Sequence, residues 1–203
     1  MIIVDDFPQM SQEWFQAKIG IPSAGSFDMI VDTKGNPSKQ QEKYLYRLAG
    51  ETIIGTPTES YMNGAMQRGI DLEPEARLAY EFINNVEVQQ VAICYEDGKK
   101  YLASPDGLIK RISEGLEIKN PLIHTHVEYM LNPKKLKADY FQQCQGGLLV
   151  TGYETWNLFS YYPGLKPVHL RVERDEEFLK KLSDELDKFC IELAIIINKL
   201  KSL

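Results

Sequence analysis

The chain has 203 residues, 43% of them hydrophobic, which suits one globular domain with a substantial core. Its formal net charge of −6 argues against a protein that coats nucleic acid through clustered Lys and Arg, but not against an enzyme that gathers carboxylates in a cleft. No apolar run approaches the roughly 20 residues that span a bilayer, and Cys94, Cys144 and Cys190 are too few and too scattered for a disulfide framework or a zinc or iron–sulphur cage.

The N-terminus, MIIVDDFPQM, lacks the basic start and small-residue cleavage site of a secretory signal, so the chain is expected to stay in the cytoplasm. A short helix carrying Trp14 and Phe15 precedes an IPSAGSF turn. TKGNPS at 33–38 reads as a loop whose end starts a helix over about 39–54. GTPTES at 55–60 breaks the chain before a long helix over about 63–82, with Leu72, Ala76, Ala79, Tyr80 and Ile83 on one side.

The hydrophobic period then changes to two. VEVQQVAICYE reads as a strand, Asp97-Gly98 as a hairpin turn and KKYLAS as the return strand. A second hairpin follows: GLIKRI, a turn at Ser113-Glu114-Gly115, and LEIKN. Helices are expected at about 123–131 and 135–151, then the strands ETWNLFSYY and PVHLRVER, then a closing helix over about 175–200. Phe178, Leu182, Leu186, Phe189, Leu193, Ile197 and Leu200 form an apolar stripe on that helix, read as core packing. No repeat or linker divides residues 1–203, so one domain is expected. Its class is α/β (or α+β), with a central mixed sheet flanked by helices.

The second hairpin carries the chemistry. In a strand, Glu117 and Lys119 share a face while Ile118 points to the other. A second carboxylate, Asp106, stands in the preceding SPDG string at 104–107. Two carboxylates can hold Mg²⁺ through hard oxygen ligands, and a nearby lysine can orient a water whose pKa the metal lowers. Taken alone, E-x-K is more often an ion-paired strand face, and Pro-Asp-Gly is ordinary turn chemistry. A tight turn at Ser113-Glu114-Gly115 would place Asp106 opposite about residue 121, at roughly 3.3 Å per residue of offset. A shared metal therefore requires a wider turn over about 110–115 or a bend near Pro105-Asp106.

Three other segments add candidates. MQRGIDLEPEAR at 66–77 places Glu73 one helical turn from Arg77 and near Arg68, where plain i,i+4 pairing is the alternative. DYFQQCQGG at 139–147 offers Gln143 as a holder of water or a phosphate oxygen, beside Gly146 and Gly147, whose small size fits close approach of backbone or ligand. In WFQAKIGIPSAGS, Lys18 and the hydroxyl-rich turn after it are placed to receive a terminal phosphate. His124 and His126 form an H-x-H, but on a helix start they would not share a face, and structural roles are expected.

The order G-x-x-x-E on a helix, then S-P-D-G, E-I-K and Y-x-x-Q-x-Q, resembles the lambda exonuclease family, the YqaJ viral recombinase group of the PD-(D/E)xK nuclease superfamily, from about Trp14 to Glu173. The resemblance implies a restriction-endonuclease-like core. It implies that Asp106 and Glu117 bind one or two Mg²⁺ ions (with Mn²⁺ as a substitute), that the Ile118 carbonyl is an extra ligand, and that Glu73 lies near the metals. It makes Lys119 the residue that positions the attacking water and Gln143 the glutamine of the helix motif. It further implies degradation of one strand of linear double-stranded DNA from the 5′ end, a homotrimer, a single-strand annealing partner, and a phage or prophage origin in a bacterial host. Two departures concern the 5′ phosphate. Lys18 replaces the family's arginine, and Gly25 stands at the position of its serine, flanked by Ser23 and Ser26. Lysine lacks the bidentate fork of arginine, and Arg68 is a further candidate for a phosphate contact. The alternatives are a structure-specific or restriction-like endonuclease with the same chemistry, and a non-catalytic DNA-binding scaffold.

Overall fold

The computed structural model describes residues 1–58 and 63–203. Of the break expected at 55–60, the last two residues lie outside the described residues. Two sheets are present among these. Strands β1 (Ile2–Val4), β2 (Ile93–Tyr95) and β3 (Leu102–Ala103) form an antiparallel sheet in that order. Strands β4 (Gly107–Ile109), β5 (Glu114–Lys119), β6 (Thr155–Ser160) and β7 (Val168–Glu173) form the second. In it β5 and β6 run parallel and the outer pairs run antiparallel, so the sheet is mixed. A parallel pair needs a crossover, supplied by helices α4 (Ile123–Leu131), α5 (Pro133–Asp139) and α6 (Phe141–Thr151). Two helices of the N-terminal half, Gln41–Ile54 and Gly64–Asn84, and the closing helix, Glu176–Lys201, complete the α/β arrangement together with a short one, Gln12–Ala17. In chain order the seven α-helices of the described residues are α1 (Gln12–Ala17), α2 (Gln41–Ile54), α3 (Gly64–Asn84), α4 to α6 as above, and α7 (Glu176–Lys201). Among the described residues no helix is long and apolar enough to cross a membrane.

The long strand expected over 86–96 is divided because its backbone changes partner. Gln89 bridges Leu108 within β4, whereas Ala92 donates to Val4 and 93–95 pair with β1. That N-terminal partner strand was not legible in the sequence. The expected helix over 135–151 breaks at Tyr140, whose φ of −122° and ψ of 17° end α5 and restart the chain as α6.

The expected turn at Ser113-Glu114-Gly115 is corrected. The turn spans 110–113, with Ser113 at a φ of 54°, while Glu114 and Gly115 are strand residues and Ile109 pairs with Glu114. Gly107 therefore pairs with Leu116, and the next step along the register sets Asp106 beside Glu117. The physical reason lies on the neighbouring strand: a Cβ on Gly115 would meet the Trp156 ring at 2.3 Å, and one on Gly147 would meet other atoms of the same indole at 2.5 Å. The glycines of α6 thus serve packing, since Gly146 likewise admits Phe27, at 2.5 Å from a would-be Cβ.

The α7 stripe packs on α2. Phe178, Leu182, Leu186, Phe189 and Leu193 are buried with Tyr44, Leu45, Leu48 and Ala49, each large apolar side chain contributing about 1.5–3 kcal/mol. The stripe runs out at its end, where Ile197 is half-buried and Leu200 exposed. On α3, Ala76 and Tyr80 pack on Ile109, Leu116, Ile118 and Phe159 of the second sheet, while Ile83 is exposed. This contact fixes α3 against the strand that bears Glu117.

Candidate active site

Strand alternation sends Ile118 into the apolar cluster under α3 and turns Glu117 and Lys119 to the other face. Glu117 is 4% exposed. Its Oε1 accepts from Lys119 Nζ at 2.7 Å and from Gln143 Nε2 at 2.6 Å, and Gln143 Oε1 accepts from the same ammonium at 3.1 Å. The break before α6 lets Tyr140 present its ring 4.5 Å from Lys119 Nζ. Burial alone would lower the Lys119 pKa, but the charges of Glu117 and Asp106 and the bond to Glu117 outweigh it, so the ammonium is held well above its ordinary value. Lys119 is a stable cation at neutral pH.

Asp106 is anchored at both ends. Its N–H donates to the Leu116 carbonyl at 3.0 Å, and its Oδ2 accepts from the Ile118 N–H at 2.5 Å. Burial, then the charges of Glu117 and Glu73, raise its carboxyl well above the usual range, against the opposing effects of Lys119 and the Ile118 N–H. Glu73 reaches the same space from α3, one turn from Arg77, whose Nη2 donates to Glu73 Oε1. The Glu73 pKa is raised first by burial and also by Glu117, with Arg77 pulling the other way.

A cavity of about 720 Å³ is lined by Glu73, Arg77, Asp106, Glu117, Gln143 and Lys18, among others. A second, of about 730 Å³, is lined by Lys119, Tyr140, Arg47, Asn120 and Ser26. Trp14, Lys18, Ser23 and Glu73 line both, so the candidate site lies where the two meet. Trp14 is held by bonds from its Nε1 to the Ala92 carbonyl at 3.1 Å and to Ser104 Oγ at 2.9 Å. Lys18 Nζ lies 3.6 Å from the Trp14 ring centroid. Burial lowers the Lys18 pKa to about 8, partly offset by Glu117. Ser23 and Gly25 come to the first cavity beside Gln143, whose Nε2 would lie 3.8 Å from a Cβ on Gly25.

Glu73, Asp106, Glu117, Lys119, Gln143, Lys18, Ser23 and Ser26 thus gather around two adjoining cavities, and the Ile118 backbone lies in their midst. Arg68 lines neither cavity but braces the wall of the second, where Asn120 and Pro121 stand. Its Nη1 donates to the Asn120 and Pro121 carbonyls at 3.3 and 3.0 Å, and its guanidinium lies 4.5 Å from the Tyr162 ring. His126 is wholly buried between Ser160 Oγ and the Lys166 carbonyl, while His124 is exposed. Gln90 also lines the first cavity, and sequence reasoning did not single out Gln90, Trp14 or Tyr140 as parts of the site. Tyr140 opens the Y-x-x-Q string, which was the available signal, whereas nothing local marks Gln90.

The donor set suits a hard divalent cation. Three carboxylates share the cavity wall; beyond burial, the charge of Glu117 raises the pKa of both Asp106 and Glu73, and Glu73 adds to the rise at Asp106, which is the electrostatic demand a cation meets. Among the described residues no three His, Cys, Asp or Glu side chains close into a cage. Magnesium does not need one, because it usually keeps several waters and takes one or two carboxylates plus a substrate phosphate.

The model of the YqaJ-like viral recombinase domain matches residues 13–154. Comparison with curated protein sequences gives no match. An alkaline exonuclease from Laribacter hongkongensis is 29% identical, with 95% of this chain and 97% of that chain covered and a TM-score of 0.84. Its structure in complex with dAMP gives the same values. A phage-related exonuclease from Haemophilus somnus shares the fold, at 14% identity, a TM-score of 0.72, and coverage of 89% of this chain and 96% of that one. The mixed sheet is that of the restriction-endonuclease-like fold.

Proposed function

The chain belongs to the YqaJ-like viral recombinase domain family, and from that premise we propose that it is a metal-dependent exonuclease, one domain over 1–203, that degrades one strand of linear duplex DNA from the 5′ end. The observation that carries this reading is the convergence of Glu117 and Lys119 of β5, Gln143 of α6 and Asp106 just before β4: the first three are joined by bonds of 2.6–3.1 Å, and Asp106 is tied to β5 through the Ile118 N–H at 2.5 Å. Support for the substrate comes from the alkaline exonuclease and its dAMP complex.

Asp106 and Glu117, with the Ile118 carbonyl and with Glu73 close by, would hold one or two Mg²⁺ ions, or Mn²⁺ in their place. Bound there, the metal supplies Lewis acidity at the phosphate and a lowered pKa for water. Lys119, fixed by Glu117 and Gln143, orients the attacking water and carries positive charge beside the developing phosphorane. Gln143 spans Glu117 and Lys119, so it sets their separation and can turn its amide to a phosphate oxygen. Lys18, with Ser23 and Ser26, receives the terminal phosphate where the two cavities join. We propose further that it works as a homotrimer beside a single-strand annealing protein in phage-type recombination, in the cytoplasm of a bacterial host; the viral recombinase family supports the recombination setting.

The deciding experiment digests end-labelled linear duplex and covalently closed circular DNA, with Mg²⁺ or EDTA, using the native protein and Glu117→Ala. Loss of the 5′-labelled strand from linear DNA alone, dependent on Mg²⁺ and absent in the variant, is the expected result. Cutting of the circle would instead identify an endonuclease, and no cutting with any divalent ion would identify a scaffold.

A further inference from the structure

Arg77 is 8% exposed, and a buried guanidinium is costly unless its N–H groups are used. Its bonds go to three other residues lining the catalytic cavity. Nη2 donates to Glu73 Oε1, Nε donates to the Asp106 carbonyl at 3.2 Å, and Gln90 Oε1, in the orientation that gives both its amide atoms partners, accepts at 2.8 and 3.1 Å. The fork therefore joins a carboxylate on α3 to the backbone of a carboxylate-bearing residue at the edge of β4. Those two residues lie in different elements with no direct bond between them in the hydrogen-bond network described. A flexible glutamate one turn up a helix needs such an anchor to hold one rotamer, and outer partners of metal-binding carboxylates commonly perform this task.

Resting on the metal-dependent reading above, we propose that Arg77 is a positioning residue that sets Glu73 and Asp106 at the separation a divalent cation requires. It acts by fork geometry. A charge effect alone would have the opposite sign, because removing a cation from a wall of three carboxylates attracts metal more strongly. Lysine keeps the charge and loses the fork, so Arg77→Lys separates the two roles.

The test is calorimetric titration of the full chain with Mn²⁺, without DNA, for the native protein, Arg77→Lys, Arg77→Gln and Gln90→Leu, each with a thermal melt. The positioning role requires Arg77→Lys and Arg77→Gln to weaken Mn²⁺ binding about tenfold or more. Gln90→Leu, which releases the guanidinium on one side, should weaken it by a smaller factor and keeps the test open should the Arg77 variants not fold. The KM for linear duplex should stay within about twofold in Arg77→Lys while kcat falls. Native-like Mn²⁺ affinity in folded Arg77→Lys, or tighter binding in Arg77→Gln, overturns the inference and leaves the nuclease reading standing. A native protein that binds no Mn²⁺ overturns the metal-dependent reading and this inference with it.

Discussion

The Ile118 N–H donates to Asp106 Oδ2 at 2.5 Å, so the strand bearing Glu117 and Lys119 itself holds the other carboxylate in place. One bond thereby orients Asp106 and places its charge beside Glu117, at the cost of a carboxyl group whose pKa is raised first by burial and then by Glu117 and Glu73.

Asp106→Asn keeps an oxygen to accept from Ile118 and removes the buried charge. The metal-free variant should be as stable as the native protein or more so, by on the order of 1 kcal/mol near neutral pH. It should also lose the rise in melting temperature that Mg²⁺ or Mn²⁺ confers by binding the folded state. A variant that still melts higher with Mn²⁺, to the native extent, would remove Asp106 from the metal set.

Lys119→Ala takes away the one cation bonded to Glu117 among the described residues and leaves Gln143 as the side-chain partner there. Cleavage should fall by about 10²–10³ or more, in the range seen when a group stabilising transition-state charge is lost. Affinity for duplex DNA, measured by fluorescence anisotropy in EDTA, should change only a few fold. Near-native cleavage would refute the water-positioning role.

Lys18 offers a pH signature. Its pKa is lowered to about 8, so on raising the pH past that value the folded protein loses a positive charge from the proposed phosphate site. The KM for 5′-phosphorylated ends should climb above about pH 8, that for 5′-hydroxyl ends should not, and Lys18→Arg should abolish the difference in profile. Stability follows with a definite sign. Between about 8 and the ordinary value of 10.5 the unfolded chain holds a proton that the folded chain has released, so stability rises with pH across that window. Below it both states carry the proton and the burial penalty is present in full. Lys18→Met should therefore stabilise the protein near pH 7, by on the order of 2 kcal/mol, and flatten that rise. Denaturant titrations at pH 7 and 10 check both statements.

The indole of Trp156 lies between Gly115 and Gly147, at 2.3 and 2.5 Å from their would-be Cβ atoms. Gly115→Ala and Gly147→Ala should each cost about 1–3 kcal/mol by overpacking, lowering the melting temperature by roughly 2–4 °C per kcal/mol. Gly50, inside α2 with no neighbour within 4 Å of a Cβ among the described residues, should respond in the opposite direction. Gly50→Ala is expected to stabilise by about 0.5–1 kcal/mol through helix propensity. Equal effects at the two kinds of position would show that the Trp156 contacts are slack.

Where the physics is local, the amino-acid sequence alone determined the outcome. Two-residue alternation put Glu117 and Lys119 on one face with Ile118 behind them, and three-and-four spacing put Phe178 to Leu193 on the core side of α7. One helical turn put Glu73 next to Arg77, and the linear order of Glu73, Asp106, Glu117, Lys119 and Gln143 carried the family pattern before any contact was known. Pairing between distant segments was decided only by tertiary structure. Ser113-Glu114-Gly115 has turn composition, yet Gly115 is strand because Trp156, 41 residues away in sequence, occupies the space a side chain would need. The segment 86–96 has one continuous strand pattern, yet its hydrogen bonds are shared between Leu108 and the N-terminal strand. Gln90 and Tyr140 joined the site through contacts with Arg77 and Lys119 that no local pattern encodes. Periodicity tells which way a side chain points. What it meets there depends on which distant segments the fold brings alongside, and that is set by close packing and by the need to satisfy each buried polar group.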